Sequence, residues 1–309
     1  MKYSLFDLHC DTLYEMFMRS DSLSSDCLSV SLKKANPYDK YAQVCAVWSD
    51  KRLGDEEAFA RFKNILAYAK EHIDGAAFVR SASEFDLCRK NGTVPLILAV
   101  EDARILSGDI SRLAYLAECG VRILTLLWSG VSCIGGAYDT EVGLSDFGKL
   151  TVRKCFEYGI IPDISHASRQ STRDVFELNT DNKPVIASHS DSFAVCPHKR
   201  NLTDAEFRQI MSCRGLVGIN LFCEHLGLQS DAADAVDTVI KHIEHYLSLG
   251  GEDTVSFGCD FDGAQTPQAL ADISALTVVG ERMLQLGYKE DLIEKLFYGN
   301  AERFFRDNF

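Results

Sequence analysis

The chain has 309 residues, 46% hydrophobic and 25% charged, enough apolar material to fill the core of one large domain or two ordinary ones. Its net charge of −13 argues against nucleic acid or an anionic membrane as the main partner. No apolar run approaches the roughly 20 residues that cross a bilayer, no signal-peptide or lipid-anchor pattern is present, and the expected location is the cytoplasm. The 11 cysteines are odd in number and form no C-x-x-C pair, which argues against a disulfide framework and a structural zinc knuckle.

The first apolar run, residues 3–8, leads into Leu8-His9-Cys10-Asp11-Thr12. His9 and Asp11 are two apart, so a strand points both to one face, and Cys10 to the other as a packing residue. A competing reading makes Asp11 the cap of a helix beginning near Thr12. Further apolar runs fall at 42–48, 94–100, 121–127, 160–164, 185–187, 215–221 and 255–258, with 78–79 a weak strand candidate outside this pattern. Helices are predicted between them. Residues 53–72 carry Phe59, Phe62, Ile65, Leu66 and Ala69 at helical spacing. Segments 110–119 and 147–158 are stopped by Gly120 and Gly159. Others span 168–178, 203–213 (opened by Thr203-Asp204-Ala205-Glu206), 233–249, 273–286 and 289–297, the last leading into Phe304. Continuous apolar runs are what a parallel sheet buried on both faces shows. Eight of them alternating with helices, without a linker, predict one (β/α)8 TIM-type barrel over residues 1–309. A doubly wound open sheet is the alternative.

In such a barrel the active site lies at the C-terminal ends of the strands. Immediately after the runs stand His9 and Asp11, Glu101, His166, His189, and Asp260 and Asp262. Three imidazoles and several carboxylates on one rim have the ligand chemistry of zinc or another divalent transition metal. There are enough groups for two ions roughly 3.5–4 Å apart, which need a bridging carboxylate and hold a hydroxide between them. Glu101 is placed to bridge. Each residue alone has a plainer reading: His189 as a buried hydrogen-bonded histidine, Glu101-Asp102 as a helix cap pair, Asp260 to Gly263 as a turn. Arg200, on a loop 11 residues after His189, suits bidentate binding of a carboxylate, or it is a surface arginine. Among the remaining histidines, His242 and His245 are read as a solvated helix face, His72 as a helix-end cation, and His225, after the run 215–221, stays open as a site residue. Gly143 to Lys149 matches a phosphate-binding loop up to its last position, where Leu150 replaces Ser or Thr, and it is discounted.

The same motifs resemble the membrane dipeptidase (renal dipeptidase) family of zinc metallopeptidases, in bacterial-type soluble form, nearly end to end. Leu8-His9-Cys10-Asp11-Thr12 is similar to its H-x-D opening and Val100-Glu101-Asp102 to its bridging glutamate. Gly143-Leu144-Ser145-Asp146-Phe147-Gly148, Asp163-Ile164-Ser165-His166-Ala167-Ser168, Ser188-His189-Ser190 with Arg200-Asn201, and Gly258-Cys259-Asp260-Phe261-Asp262-Gly263 resemble further family segments. The resemblance implies a (β/α)8 barrel holding two Zn2+. His9 and Asp11 would serve one ion, His166 and His189 the other, with Glu101 between them. Asp260 would handle protons at the reacting bond and contact substrate, and Arg200 would bind a dipeptide's terminal carboxylate. It also implies a possible homodimer and acceptance of a D-residue at the second position. One departure stands out. Well-studied members carry a substrate-contacting histidine after the fourth strand, where this chain has Trp128-Ser129, and loss of an oxyanion donor can cost roughly 10²–10³ in rate. The expected activity is hydrolysis of dipeptides. Alternatives are an amidohydrolase for N-acyl amino acids or lactams, and a metal-binding homologue with reduced turnover.

Overall fold

A computed structural model describes residues 2–309. Eight strands run parallel: β1 Leu5–Cys10, β2 Tyr41–Trp48, β3 Ala76–Phe78, β4 Val94–Glu101, β5 Val121–Thr125, β6 Ile161–Asp163, β7 Val217–Ile219 and β8 Val255–Phe257. Around the sheet the order is β6, β5, β4, β2, β1, β8, β7, and β3 pairs only with the start of β4. The weak candidate at 78–79 is thus an extra strand beside the barrel. Parallel bridges Asp163–Ile186 and Ala187–Val217 put residues 185–187 between β6 and β7, so eight staves close into a (β/α)8 barrel. That eighth stave is held by backbone bonds on both sides, Ile186 N–H donating to the Pro162 carbonyl at 3.1 Å and Ala187 N–H to the Leu216 carbonyl at 2.9 Å, and side chains add to them. Ser188 N–H, one residue on, donates to Asp163 Oδ1 at 3.0 Å.

Side chains alternate between two apolar layers. Phe6, Leu8, Ala42, Val44, Ala46, Ile97, Ala99, Ile123, Ile161, Ile186 and Leu216 fill the barrel. Leu5, Cys45, Val47, Leu98, Val100, Leu124 and Phe257 pack outward beneath the helices. One strand breaks step. Leu8 lies inside while Cys10, two residues on, packs outside, and the β1–β2 register shifts between Asp7 and Cys10. A bulge adds one residue to a strand and re-aims the side chains beyond it. Here it turns His9 and Asp11 inward after Leu8, leaving Cys10 against Cys45 with sulfurs 3.9 Å apart.

The helices largely follow the predicted periodicity, at Asp55–His72, Ser111–Cys119, Asp146–Tyr158, Arg169–Leu178, Asp204–Ser212 and Ala235–Ser248. Gly120 and Gly159 end two of them at φ 97° and 67°, where a side chain costs energy. Thr203 and Glu206 form the expected capping box. Two C-terminal predictions are corrected. Residues 273–276 form a 3-10 turn before the helix Thr277–Gln285. The last helix runs on from Glu290 to Asn308 through a π-turn at 295–299. Just beyond that turn, Asn300 Nδ2 donates to the carbonyls of Glu252 and Val255 at 2.8 Å, fixing the helix under β8.

Candidate metal centre

The barrel brings six of the predicted residues to one rim. His9 and Asp11 follow the β1 bulge, Glu101 ends β4, His166 follows β6, His189 follows the eighth stave and Asp260 follows β8. His189 can lean inward because two neighbours lack side chains. A Cβ on Gly218 or Gly258 would lie 1.9 or 1.7 Å from the Ser188 carbonyl oxygen. Asp260 takes φ +60° to direct its carboxylate over the barrel mouth.

Donor atoms converge in three groups: His9, Asp11 and Glu101; Glu101, His166 and His189; and His9, His189 and Asp260, each within 4.8 Å. His9 Nε2 lies 3.7 Å from Asp11 Oδ2, 3.6 Å from Glu101 Oε2 and 3.8 Å from Asp260 Oδ1. These gaps are too long for hydrogen bonds. They are close to the roughly 3.3–3.6 Å between two atoms bound tetrahedrally to one zinc at about 2.0–2.2 Å. Among the described residues, His9 Nε2 and Asp11 Oδ1 are buried with no partner.

Surrounding hydrogen bonds fix where the protons sit. His166 Nδ1 lies 3.0 Å from the Trp128 carbonyl oxygen, which only accepts, so Nδ1 carries the proton. Ser188 Oγ donates to Asp163 Oδ2 at 2.6 Å, so it accepts from His189 Nδ1 at 2.8 Å. Both Nε2 atoms then present lone pairs. They face each other at 2.9 Å, with Glu101 Oε1 2.9 Å from His166 Nε2. Two lone pairs and a carboxylate oxygen meeting in a buried site repel each other unless a cation lies among them. The donor set therefore fits a divalent metal.

The electrostatics agree. Burial pushes the Asp11 carboxyl up to about 8, helped by Glu101. Burial also raises Asp260, to about 6, with His9 pulling against it and Glu101 adding to it. His189 is held well below the usual imidazole range by burial and by His9. The crowded carboxylates cannot all be neutralised by the imidazoles present, and a divalent cation would relieve them.

Above this rim is a cavity of about 550 Å³. Arg200 reaches it from the loop after the eighth stave and is buried. Its guanidinium has only long contacts, 3.4 Å to Ser190 Oγ and 3.3 Å to the His189 carbonyl, and its Nε has no partner among the described residues. Trp128 also lines the cavity, edge-on to Trp48 at 5.1 Å. Sequence reasoning missed Trp48, Tyr138 and Phe222 in the cavity lining, and the supporting roles of Asp163, Ser188 and Asn220. Asn220 Nδ2 donates to Asp260 Oδ2 at 3.3 Å.

Other expectations are corrected or resolved. Asp11 makes no side-chain cap, although the helix Thr12–Arg19 does begin there. Asp102, not Glu101, caps the 3-10 turn Ala103–Leu106. Asp262 is not among the converging donors and ties down a loop instead, accepting from Thr12 Oγ1, Ser29 N and Val30 N. His242 is not on a solvated face. It is fully buried, with Nδ1 accepting from Ser192 N at 3.1 Å, while His245 pairs with Asp204 at 2.8 Å. In the discounted glycine-rich loop, Ser145 caps the helix and Gly148 packs on Ile134, where a Cβ would lie 1.9 Å from its carbonyl oxygen. No helix among the described residues is long and apolar enough to cross a membrane.

Comparison with known proteins gives a consistent result. The model of the membrane dipeptidase family (peptidase family M19) matches residues 1–308. A Klebsiella pneumoniae protein from the pqqA 5' region, itself uncharacterized, is 28% identical over 254 residues, 79% of this chain and 92% of its own length. Dipeptidase aclJ of Aspergillus oryzae is 31% identical over 224 residues, 70% of this chain and 52% of that protein. Among solved structures, the metallopeptidase dipeptidase AC superposes with a TM-score of 0.91 at 25% identity, covering 100% of this chain and 99% of its own. A Rhodobacter sphaeroides metallopeptidase, liganded with a phosphinate mimic of the dipeptide L-Ala-D-Ala, also gives 0.91, at 24% identity and 100% coverage of both chains.

Proposed function

The chain belongs to the membrane dipeptidase family and is a metallopeptidase, and we propose that it hydrolyses the one peptide bond of a dipeptide at a two-zinc centre. His9 and Asp11 would hold one ion and His166 and His189 the other, with Glu101 directing Oε2 to the first pair and Oε1 to the second. When bound, such a pair supplies Lewis acidity and a water activated near neutral pH. The observation that carries the reading is the meeting of the His166 and His189 lone pairs with Glu101 Oε1.

The chain's own residues do the rest. Arg200, buried and short of partners, takes the C-terminal carboxylate of the substrate, which restricts substrates to short peptides with a free end. Asp260, its Oδ2 held by Asn220 and its Oδ1 turned to the centre, takes a proton from the attacking water. It then gives one to the leaving amine. Trp128 and Trp48 form the wall facing the substrate and exclude water from that side. Acceptance of a D-residue in the second position is part of the proposal, in keeping with the ligand of the Rhodobacter neighbour. So are a single catalytic domain over residues 1–309 and a cytoplasmic location, which suits a chain whose 11 cysteines are all unpaired.

The test is zinc-loaded protein against L,L- and L,D-dipeptides and N-acetyl amino acids, beside Asp260→Asn. Dipeptide cleavage that the substitution abolishes supports the reading. Preferential cleavage of N-acetyl amino acids moves it to another amidohydrolase. Dipeptides left intact by the loaded wild type end it.

A further inference from the structure

We infer that His225 is a substrate-binding residue, its Nε2–H donating to the same substrate carboxylate that Arg200 holds. The inference rests on the dipeptidase reading and adds a contact to it. Asn220 sets the tautomer of the ring. The Phe222 backbone N–H can only donate, and it lies 2.6 Å from Asn220 Oδ1, which fixes that oxygen as the acceptor. The amide NH2 therefore faces the other way, to Asp260 Oδ2 at 3.3 Å and to His225 Nδ1 and the His189 carbonyl at 3.4 Å. An NH2 group only donates, so His225 Nδ1 is the acceptor and the ring proton sits on Nε2. Nε2 has no partner among the described residues, yet it is not one of the atoms sealed from solvent. His225 also lines the cavity, and Nε2–H is the ring donor left to serve it.

The ring is fixed beside the Arg200 loop. Asn201 Nδ2 donates to the His225 carbonyl at 2.8 Å, tying the Arg200 loop to the short helix Cys223–Leu226. Arg200 N–H donates to His198 Nδ1 at 3.2 Å, and the His198 ring lies 4.8 Å from that of His225. Phe222 packs edge-on to it at 4.7 Å. Burial, Arg200 and His198 all keep the imidazole neutral, so it offers a hydrogen bond without a second buried charge. Arg200 and His225 line the same cavity from this loop pair, a cation and a neutral donor suited to one carboxylate. The chain thus has an imidazole in its substrate cavity after β7, while Trp128 stands after β5.

The test compares His225→Leu, which removes the donor, with His225→Gln, which keeps an N–H near the Nε2 position. Two readouts are used: kinetics of zinc-loaded enzyme on L-Ala-D-Ala and its C-terminal amide, and calorimetric binding of the same two compounds to metal-free protein. A hydrogen bond to a charged group predicts a rise in KM and in Kd of roughly 10- to 100-fold for His225→Leu with the free acid. The expectation includes kcat within about twofold, little change with the amide, and most of the loss restored in His225→Gln. Equal losses on acid and amide, or a fall in kcat at constant KM, overturn the assignment. If wild type binds L-Ala-D-Ala without cleaving it and His225→Leu loses that binding, the contact stands and the catalytic reading falls. If wild type cleaves and both variants match it, the contact alone falls.

Discussion

Ser188→Ala removes one oxygen and tests the proton assignment at the centre. In the wild type, Ser188 Oγ accepts from His189 Nδ1 at 2.8 Å and donates to Asp163 Oδ2 at 2.6 Å. Without it, a buried Nδ1–H has no acceptor, at a cost of about 1–3 kcal/mol. His189 escapes that cost by moving its proton to Nε2. That proton then points into the donor cluster, toward His166 Nε2 at 2.9 Å and Glu101 Oε1 at 3.7 Å. The shifted tautomer suits the metal-free site and cannot bind a metal through Nε2. Asp163 keeps Thr125 Oγ1 at 2.6 Å and Ser165 Oγ at 2.7 Å, so the scaffold changes little. The two effects have opposite signs. Zinc affinity should fall about 10- to 100-fold, the usual loss for a partner behind a ligand, while metal-free stability stays within about 1 kcal/mol of wild type. Competition with a chromophoric chelator measures the first, and urea unfolding of chelated protein the second. Unchanged zinc affinity in a folded variant would refute the assignment.

Arg200→Met should lower kcat/KM on a dipeptide by roughly 100-fold, corresponding to about 3 kcal/mol for a lost buried charge pair, yet barely alter hydrolysis of the dipeptide amide; equal losses on both would remove Arg200 from carboxylate recognition. Gly258→Ala places a Cβ 1.7 Å from the Ser188 carbonyl, and urea unfolding should show a loss of about 1–3 kcal/mol or more, with weaker zinc binding because the His189 stave is displaced. A variant as stable as wild type would contradict that close approach. His242, held down to about 4 mainly by burial, is neutral in both folded and unfolded chains above pH 6.5. As the pH falls from 6.5 toward 4, the unfolded chain takes up the proton first and stability is lost, by roughly 2 kcal/mol at pH 5. His242→Asn, which keeps an acceptor for Ser192 N–H, should flatten the stability profile over that window relative to wild type, as followed by urea midpoints at pH 7, 6 and 5. Parallel profiles would reject the buried-neutral assignment.

The rim was legible because five of the eight apolar runs stop within two residues of a chemically active side chain. His9 and Glu101 come directly after a run and Asp11, His166, His189 and Asp260 two or three residues on, and barrel topology gathers the run ends whatever their separation in the chain. Their support was not legible. The apolar run at 215–221 conceals Asn220, whose amide matters only once β7 stands beside Asp260. The Ser188–Asp163 contact exists only because neighbouring staves close. Strict alternation placed His9 and Asp11 on one face correctly, but it could not reveal the bulge that turns that face inward, since a bulge leaves no mark in the apolar pattern. His242 was misread from its i, i+3 partner His245. Its better neighbours were Val239 and Tyr246, three residues before and four after, which share its buried helix face.

The central claim, a metal-dependent dipeptidase, is tested most directly by metal content and activity measured on one preparation. Chelated protein is titrated with zinc while hydrolysis of L-Ala-D-Ala is followed. No turnover is expected without metal, with activity rising to a plateau at two zinc ions per chain and none from Asp260→Asn at the same occupancy. Turnover that survives chelation, or a fully loaded wild type that leaves the dipeptide intact, would contradict it.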